Sequence, residues 1–208
     1  MKYSTATGAW IVIGILLWLP LSLFSTSQPA GMGIGEIVDI VKGLGKTLEW
    51  TNDKIGELVM TLQREVEVDW YKKEAEQKAV TAVFVYRATE AGLVLKIMKG
   101  SGLVTFKDGP KGGEISLRST SVGAHIGGSA EWGVGLVMGT VDKNSFGGEY
   151  SGSIRKATAV DSSTNTGVML VPPNSSGGKI SHQIYLVTIG RGLSAGTGGA
   201  KIIITPLF

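Results

Sequence analysis

Residues 80–107 read VTAVFVYRATEAGLVLKIMKGSGLVTFK, and this stretch decides the fold. From Val80 onward short runs rich in valine, aromatic and threonine residues are punctuated by glycine, which is strand chemistry. The pattern predicts strands over 80–86, 92–98 and 102–107. Toward the C-terminus the same reading places strands at 114–119, 122–127, 133–138, 148–156, 167–171, 183–189 and 200–205. Turn chemistry separates them at Lys107-Asp108-Gly109-Pro110, Asn144-Ser145, Gly147-Gly148, Pro172-Pro173-Asn174 and Ser176-Gly177-Gly178. Glycine also falls inside the strands, at Gly123, Gly127, Gly133 and Gly135, where it implies close backbone approach, bulges or tight curvature. The fold class expected is α+β, mainly β, with a strongly curved antiparallel sheet or small barrel over 79–208. The runs 91–106 and 190–204 share an apolar-and-glycine cadence, a faint two-fold hint; no longer repeat is visible.

On the N-terminal side the period changes. Ile34, Ile37, Val38, Val41, Leu44 and Leu48 recur at helical spacing, and Ile55, Leu58, Val59, Leu62 and Val66 resume it. Glu36, Asp39, Lys42, Lys46, Asp53, Lys54 and Glu57 occupy the other side. An amphipathic helical region over 36–78 follows, bent near 49–52 and weakened by Gly43, Gly45 and Gly56. Its stripe, with heptad-like spacing through Leu44, Leu48, Ile55, Leu58 and Leu62, suits packing on its own domain or on a partner in a coiled coil. The sharper reading is a helix lying in a lipid interface with Trp50 at headgroup depth. Residues 69–78 are polar and helix-favouring and extend the region as a second helix. Residues 28–35 form a flexible joint.

Residues 9–24, AWIVIGILLWLPLSLF, carry no charge. Extended to 7–27, the run reaches spanning length, and Ser25-Thr26-Ser27 offers small residues for cleavage. Residues 1–27 therefore read as a cleaved signal peptide or a retained transmembrane anchor. Lys2 and the amino terminus are the only charges before Glu36, so the positive-inside bias sends the rest of the chain out of the cytoplasm, to the periplasm in a bacterium.

The formal charge of +3 is unevenly spread. Residues 31–80 hold ten acids and seven bases, whereas 81–208 hold twelve bases and seven acids. A mildly basic C-terminal domain suits an anionic phospholipid surface, and the excess is too small to indicate nucleic acid. The 208 residues include 31 glycines and no cysteine, so disulfides, thiolate nucleophiles, Cys-ligated zinc and cysteine lipid anchors are excluded.

Little else carries chemistry. The glycines of 133–139 and 190–196 have the wrong spacing for a dinucleotide fingerprint and fit sheet bending. No GxSxG, HExxH or P-loop occurs. His125 and His182 read as structural or surface residues. Asn174-Ser175-Ser176 matches a glycosylation acceptor, a pattern common by chance. Nothing assembles a nucleophile, base and oxyanion hole, so a non-enzymatic protein is expected, with no cofactor and no metal.

An ordered set of motifs carries a resemblance. Ala75-Glu76-Gln77-Lys78-Ala79 runs into an apolar strand, followed by Glu90-Ala91-Gly92-Leu93-Val94, Lys99-Gly100-Ser101-Gly102-Leu103-Val104 and Lys107-Asp108-Gly109. Residues 121–138, SVGAHIGGSAEWGVGLVM, come next, and Ile184-Tyr185 precedes Arg191-Gly192-Leu193-Ser194-Ala195-Gly196. In order and spacing, over about 70–200, this resembles the SYLF lipid-binding domain family. The family's W-S-A-P run is absent, with 110–117 in its place. Glu131 stands for its usual acid, followed by Trp132, and the closing motif lacks its aromatic and acid. The resemblance implies lipid or membrane binding, and the exported-looking N-terminus resembles the bacterial members.

Together these readings predict a membrane-associated lipid-binding module docking on anionic phospholipid. The candidate contacts are Trp50, Leu58 and Leu62 on the helix and Arg87, Lys96, Lys99, Lys107, Lys111 and Arg118 on the β domain. The alternative is a structural or assembly subunit whose 36–66 helix packs on a protein partner or on a second copy.

Overall fold

In the computed structural model the described residues are 31–67, 79–91, 95–108, 112–122, 129–141, 144–160, 163–172, 181–190 and 200–208. Two helices precede eight strands: α1 (Ile34–Thr47), α2 (Asn52–Val66), β1 (Val80–Ala91), β2 (Leu95–Phe106), β3 (Glu114–Val122), β4 (Ser129–Gly139), β5 (Gly148–Val160), β6 (Ser163–Val171), β7 (His182–Gly190) and β8 (Ala200–Pro206). The strands form a closed antiparallel barrel in the order β1-β2-β3-β8-β5-β6-β7-β4, with β4 returning to β1.

The expected strands at 92–98 and 102–107 are one strand, because Gly100 and Gly102 do not interrupt pairing. Both face the barrel interior, where an added Cβ would strike the backbone of β1 at Arg87 and Val85. Most of the segment expected as a strand at 122–127 lies outside the described residues, as do 1–30 and 68–78. Among the described residues no helix is long and apolar enough to cross a membrane.

Side-chain alternation divides the apolar residues into two cores. Ala82, Phe84, Tyr86, Ala88, Val104, Phe106, Ile115, Leu117, Ile184, Leu186, Ile202 and Ile204 fill the barrel. Phe84 and Phe106 meet Phe146 edge-on at 5.7 and 5.6 Å between ring centroids, which packs the rim where β1 begins, here termed the proximal rim. The glycines of β4 make room for rings: a Cβ on Gly133 would overlap Tyr86, and one on Gly135 would overlap Phe84. Such interior glycines let a small barrel accommodate large aromatics without spreading its strands.

The second core lies outside the barrel wall. Val83 and Val85 of β1, Val134, Leu136 and Met138 of β4, and Tyr185, Val187 and Ile189 of β7 pack under Ile37, Val38, Val41, Ile55, Leu58, Val59 and Leu62. The amphipathic stripe is thus spent on the protein's own barrel. α1 begins at the proximal rim, where Met32 N donates to Val80 O at 2.9 Å, and α2 returns antiparallel, ending near β7. The bend lies where the sequence placed it. Leu48, Glu49 and Trp50 donate back to Leu44, Lys46 and Gly45, and Glu49 takes a left-handed conformation with φ 57°. Thr51 caps α2, its hydroxyl accepting from Lys54 N at 3.4 Å. Gly45 is buried beneath Ile55 and Trp50, so it serves helix–helix contact, while Gly43 and Gly56 face open space.

Candidate functional site

The barrel wall away from the helices alternates, its inward positions mainly apolar and its outward ones mainly polar, with Leu103 and Ile203 as outward exceptions. In β1 the outward positions toward the rim where that strand ends, the distal rim, are Arg87 and Thr89, both exposed. Register then builds a row across four strands: Thr89 opposite Lys99, Lys99 opposite Arg118, and Arg118 opposite Ile203. Lys99 and Arg118 are exposed, and Ile203 is 40% exposed. Like charges directly opposite in an antiparallel pair repel. Lys201 farther round the wall is neutralised by Glu149 at 2.8 Å. Arg87, Lys99 and Arg118 have no ion-pair partner among the described residues.

Between this wall and the helices stands Trp132 of β4, half-buried and directly opposite Arg87. The Arg87 guanidinium carbon lies 5.5 Å from the centre of its ring, and Lys54 Nζ of α2 lies 5.0 Å from it. Lys54 also pairs with Glu57 at 2.7 Å. One indole therefore holds two cations from different elements by attraction to its π face. Trp50, in the turn between the helices, is half-buried against the same outer core.

The remaining expected residues scatter. Leu58 and Leu62 are fully buried between α2 and the wall, so they are not lipid contacts in this fold; their apolar surface is already withdrawn from water by Val134, Leu136, Tyr185 and their neighbours. Lys107 sits at the proximal rim, half-buried, its ammonium donating to Gly31 O at 3.1 Å, and does not join the row. Lys96 lies in β2 opposite Ser121, and its side chain is outside the described residues, as is Lys111 altogether. Sequence reasoning singled out neither Lys54 nor Trp132 as a contact. The signal lay in the tertiary pairing of β1 with β4, which local periodicity does not contain.

Buried polar groups are organised as structural pairs. Tyr86 donates to Glu131 inside the barrel; burial first, and the facing carboxylate second, push the phenol well above its ordinary pKa. Tyr150 donates to Phe146 O at 2.6 Å, which uses its only proton. His182 Nε2, 2.9 Å from the Tyr150 oxygen, is then the donor of that bond, and Nδ1 accepts from Ser181 Oγ at 3.0 Å. Burial also raises the Tyr150 pKa. Tyr185 donates to Glu65 at 2.9 Å, fastening α2 to β7. His125 lies outside the described residues.

No family model and no curated protein matches this sequence. Among solved structures the chain is similar to a β-barrel-like, uncharacterized protein from Brucella abortus, with 17% identity and a TM-score of 0.44 over 86% of this chain and 96% of that one.

Proposed function

We propose that this chain is a non-enzymatic, SYLF-like lipid-binding module that docks on anionic phospholipid. The observation that carries the reading is the basic patch on the barrel wall: Lys99 and Arg118, directly opposite and so repelling each other, and Arg87 on the neighbouring strand beside them, all exposed and without ion pairs among the described residues. An anionic surface relieves that repulsion. Three such bases near a charged leaflet contribute about 1 kcal/mol each, on the order of a hundredfold in partitioning together. The wall is convex, a shape that meets a plane of headgroups rather than enclosing a small molecule. The reading as an assembly subunit loses its surface, because the stripe on which it rested is occupied by the barrel.

The test is cosedimentation of the full chain with phosphatidylcholine vesicles, with and without phosphatidylglycerol. The expected result is an increment due to the anionic lipid that fades with salt, since screening shortens the reach of exposed charges. Arg87→Glu, Lys99→Glu and Arg118→Glu together remove that increment and leave any neutral-lipid binding by 1–30 in place. A wild-type chain indifferent to phosphatidylglycerol at low salt defeats the proposal.

A further inference from the structure

We infer that the barrel meets the bilayer through the corner where Trp132, Lys54 and Arg87 converge, with the distal half of the wall against the lipid and the proximal rim turned away. This rests on the lipid-docking reading above and deepens it by fixing an orientation. Three independent placements converge on the corner. Trp132 is half-buried on the outer wall with cations of α2 and β1 at 5.0 and 5.5 Å from its ring centre. The turn between the helices brings the half-buried Trp50 to the same end of the outer core, since α1 starts at the proximal rim and α2 returns from the distal half. The row of Lys99 and Arg118 continues from Arg87 along the same half of the wall.

Indole rings with basic neighbours are the composition of a membrane interface. The ring has an apolar body and one N–H, so it is best placed at headgroup depth, while long basic side chains lay their stems on apolar surface and extend their charge to phosphates. Among the described side chains the acids of the corner are Glu49 on the turn and Asp53 in the first turn of α2, both exposed, and Glu57, already paired with Lys54. None of them pairs with Arg87, Lys99 or Arg118. Among the described residues the proximal rim offers a different surface: Lys107 is tied to Gly31 O, and Asp108 and Glu114 are exposed on the same half of the barrel.

Because the chain has no cysteine, single-cysteine dye labelling reports the orientation directly. An environment-sensitive dye is placed on the full chain at Thr89→Cys or, as a second site on the wall, Thr120→Cys, and at Thr140→Cys on the proximal rim; all three positions are exposed. With vesicles containing phosphatidylglycerol, the wall dyes shift to shorter emission wavelength and lose the shift in high salt, while the Thr140→Cys dye stays unchanged. Trp132→Leu lowers binding to vesicles containing phosphatidylglycerol about fivefold, the effect of losing an indole seated at headgroup depth together with the basic side chains it positions. A response at Thr140→Cys equal to or above that of the wall positions overturns the orientation while leaving lipid docking intact. No anionic-lipid increment at all, by sedimentation of the unlabelled chain, removes the docking reading and the orientation together.

Discussion

β7 and β3 are both nine residues long, and they read quite differently. In β7, HQIYLVTIG, eight successive residues are buried. In β3, EISLRSTSV, Ile115, Leu117 and Ser119 are buried while Glu114, Arg118 and Thr120 are exposed. The same barrel contains both because the helices cover β1, β4 and β7 and leave β3 uncovered. A continuous apolar run therefore reports a strand with two covered faces, and an alternating one reports a strand with one. Exposed Lys99 and Arg118 lie on strands the helices leave largely open, and Arg87 on β1 lies beyond the stretch they cover, so the position of the helices determines which part of the wall stays open to solvent.

The largest expected effect breaks the interior side of this comparison. Gly135→Val sets a side chain into the Phe84 ring, and a packed ring in a closed barrel has nowhere to move. Destabilisation of about 3 kcal/mol or more is expected, enough to unfold a domain of ordinary stability. Pairing it with Phe84→Ala should restore part of the loss, and additive losses in chemical denaturation would remove the steric account.

Next, Leu62→Ala opens a cavity in the seam under α2 and should cost about 2–5 kcal/mol, as interior truncations do. Melting followed by far- and near-ultraviolet circular dichroism sharpens the comparison. Coincident transitions mean that seam and barrel unfold as one unit. A separate early loss of helix would show that the barrel stands without its cover.

Alkali tests the interior alone. Tyr86 and Tyr150 have folded-state pKa values raised above the ordinary 10.0. Their contribution is fully present below pH 10 and is lost as pH climbs toward the folded values, because the unfolded chain releases those protons first. Stability should fall by about 1.4 kcal/mol per pH unit for each such tyrosine above pH 10. Tyr86→Phe should flatten that slope, and a slope unchanged by the substitution would place the titration elsewhere.

The smallest effect concerns the cover. Glu49 sits at φ 57°, a conformation that glycine adopts without penalty. Glu49→Gly should stabilise the protein by about 0.5–1 kcal/mol, readable as a higher denaturation midpoint.

Much of the architecture was legible locally. The helical bend at 49–52, the mainly β class and strands near 80, 114, 133, 148, 183 and 200 follow from period and turn chemistry. The split of β2 did not hold, since glycine at an inward position looks in sequence like glycine at a turn. The destination of the stripe through Leu58 and Leu62 was not legible either. An apolar face has the same periodicity whether it meets lipid, a partner or its own barrel, and only the paired strands settle which. Arg87, Lys99 and Arg118 could be named as bases, but their placement depends on register between strands, and the stacking on Trp132 depends on β1 meeting β4, with all of β2 and β3 between them in the chain.

The strand order has a consequence for how the molecule comes into being. β8, the last strand in the sequence, lies between β3 and β5. Until β8 has emerged from the ribosome, β3 and β5 each lack their neighbour, and the nascent sheet presents two unpaired edges. Closure must then wait for β8 and bring together segments far apart in the chain, the slow class of folding event. Overproduction should thus yield aggregates that form through those two edges, and a peptide spanning 200–208, supplied during refolding of a chain lacking it, should compete with that fate.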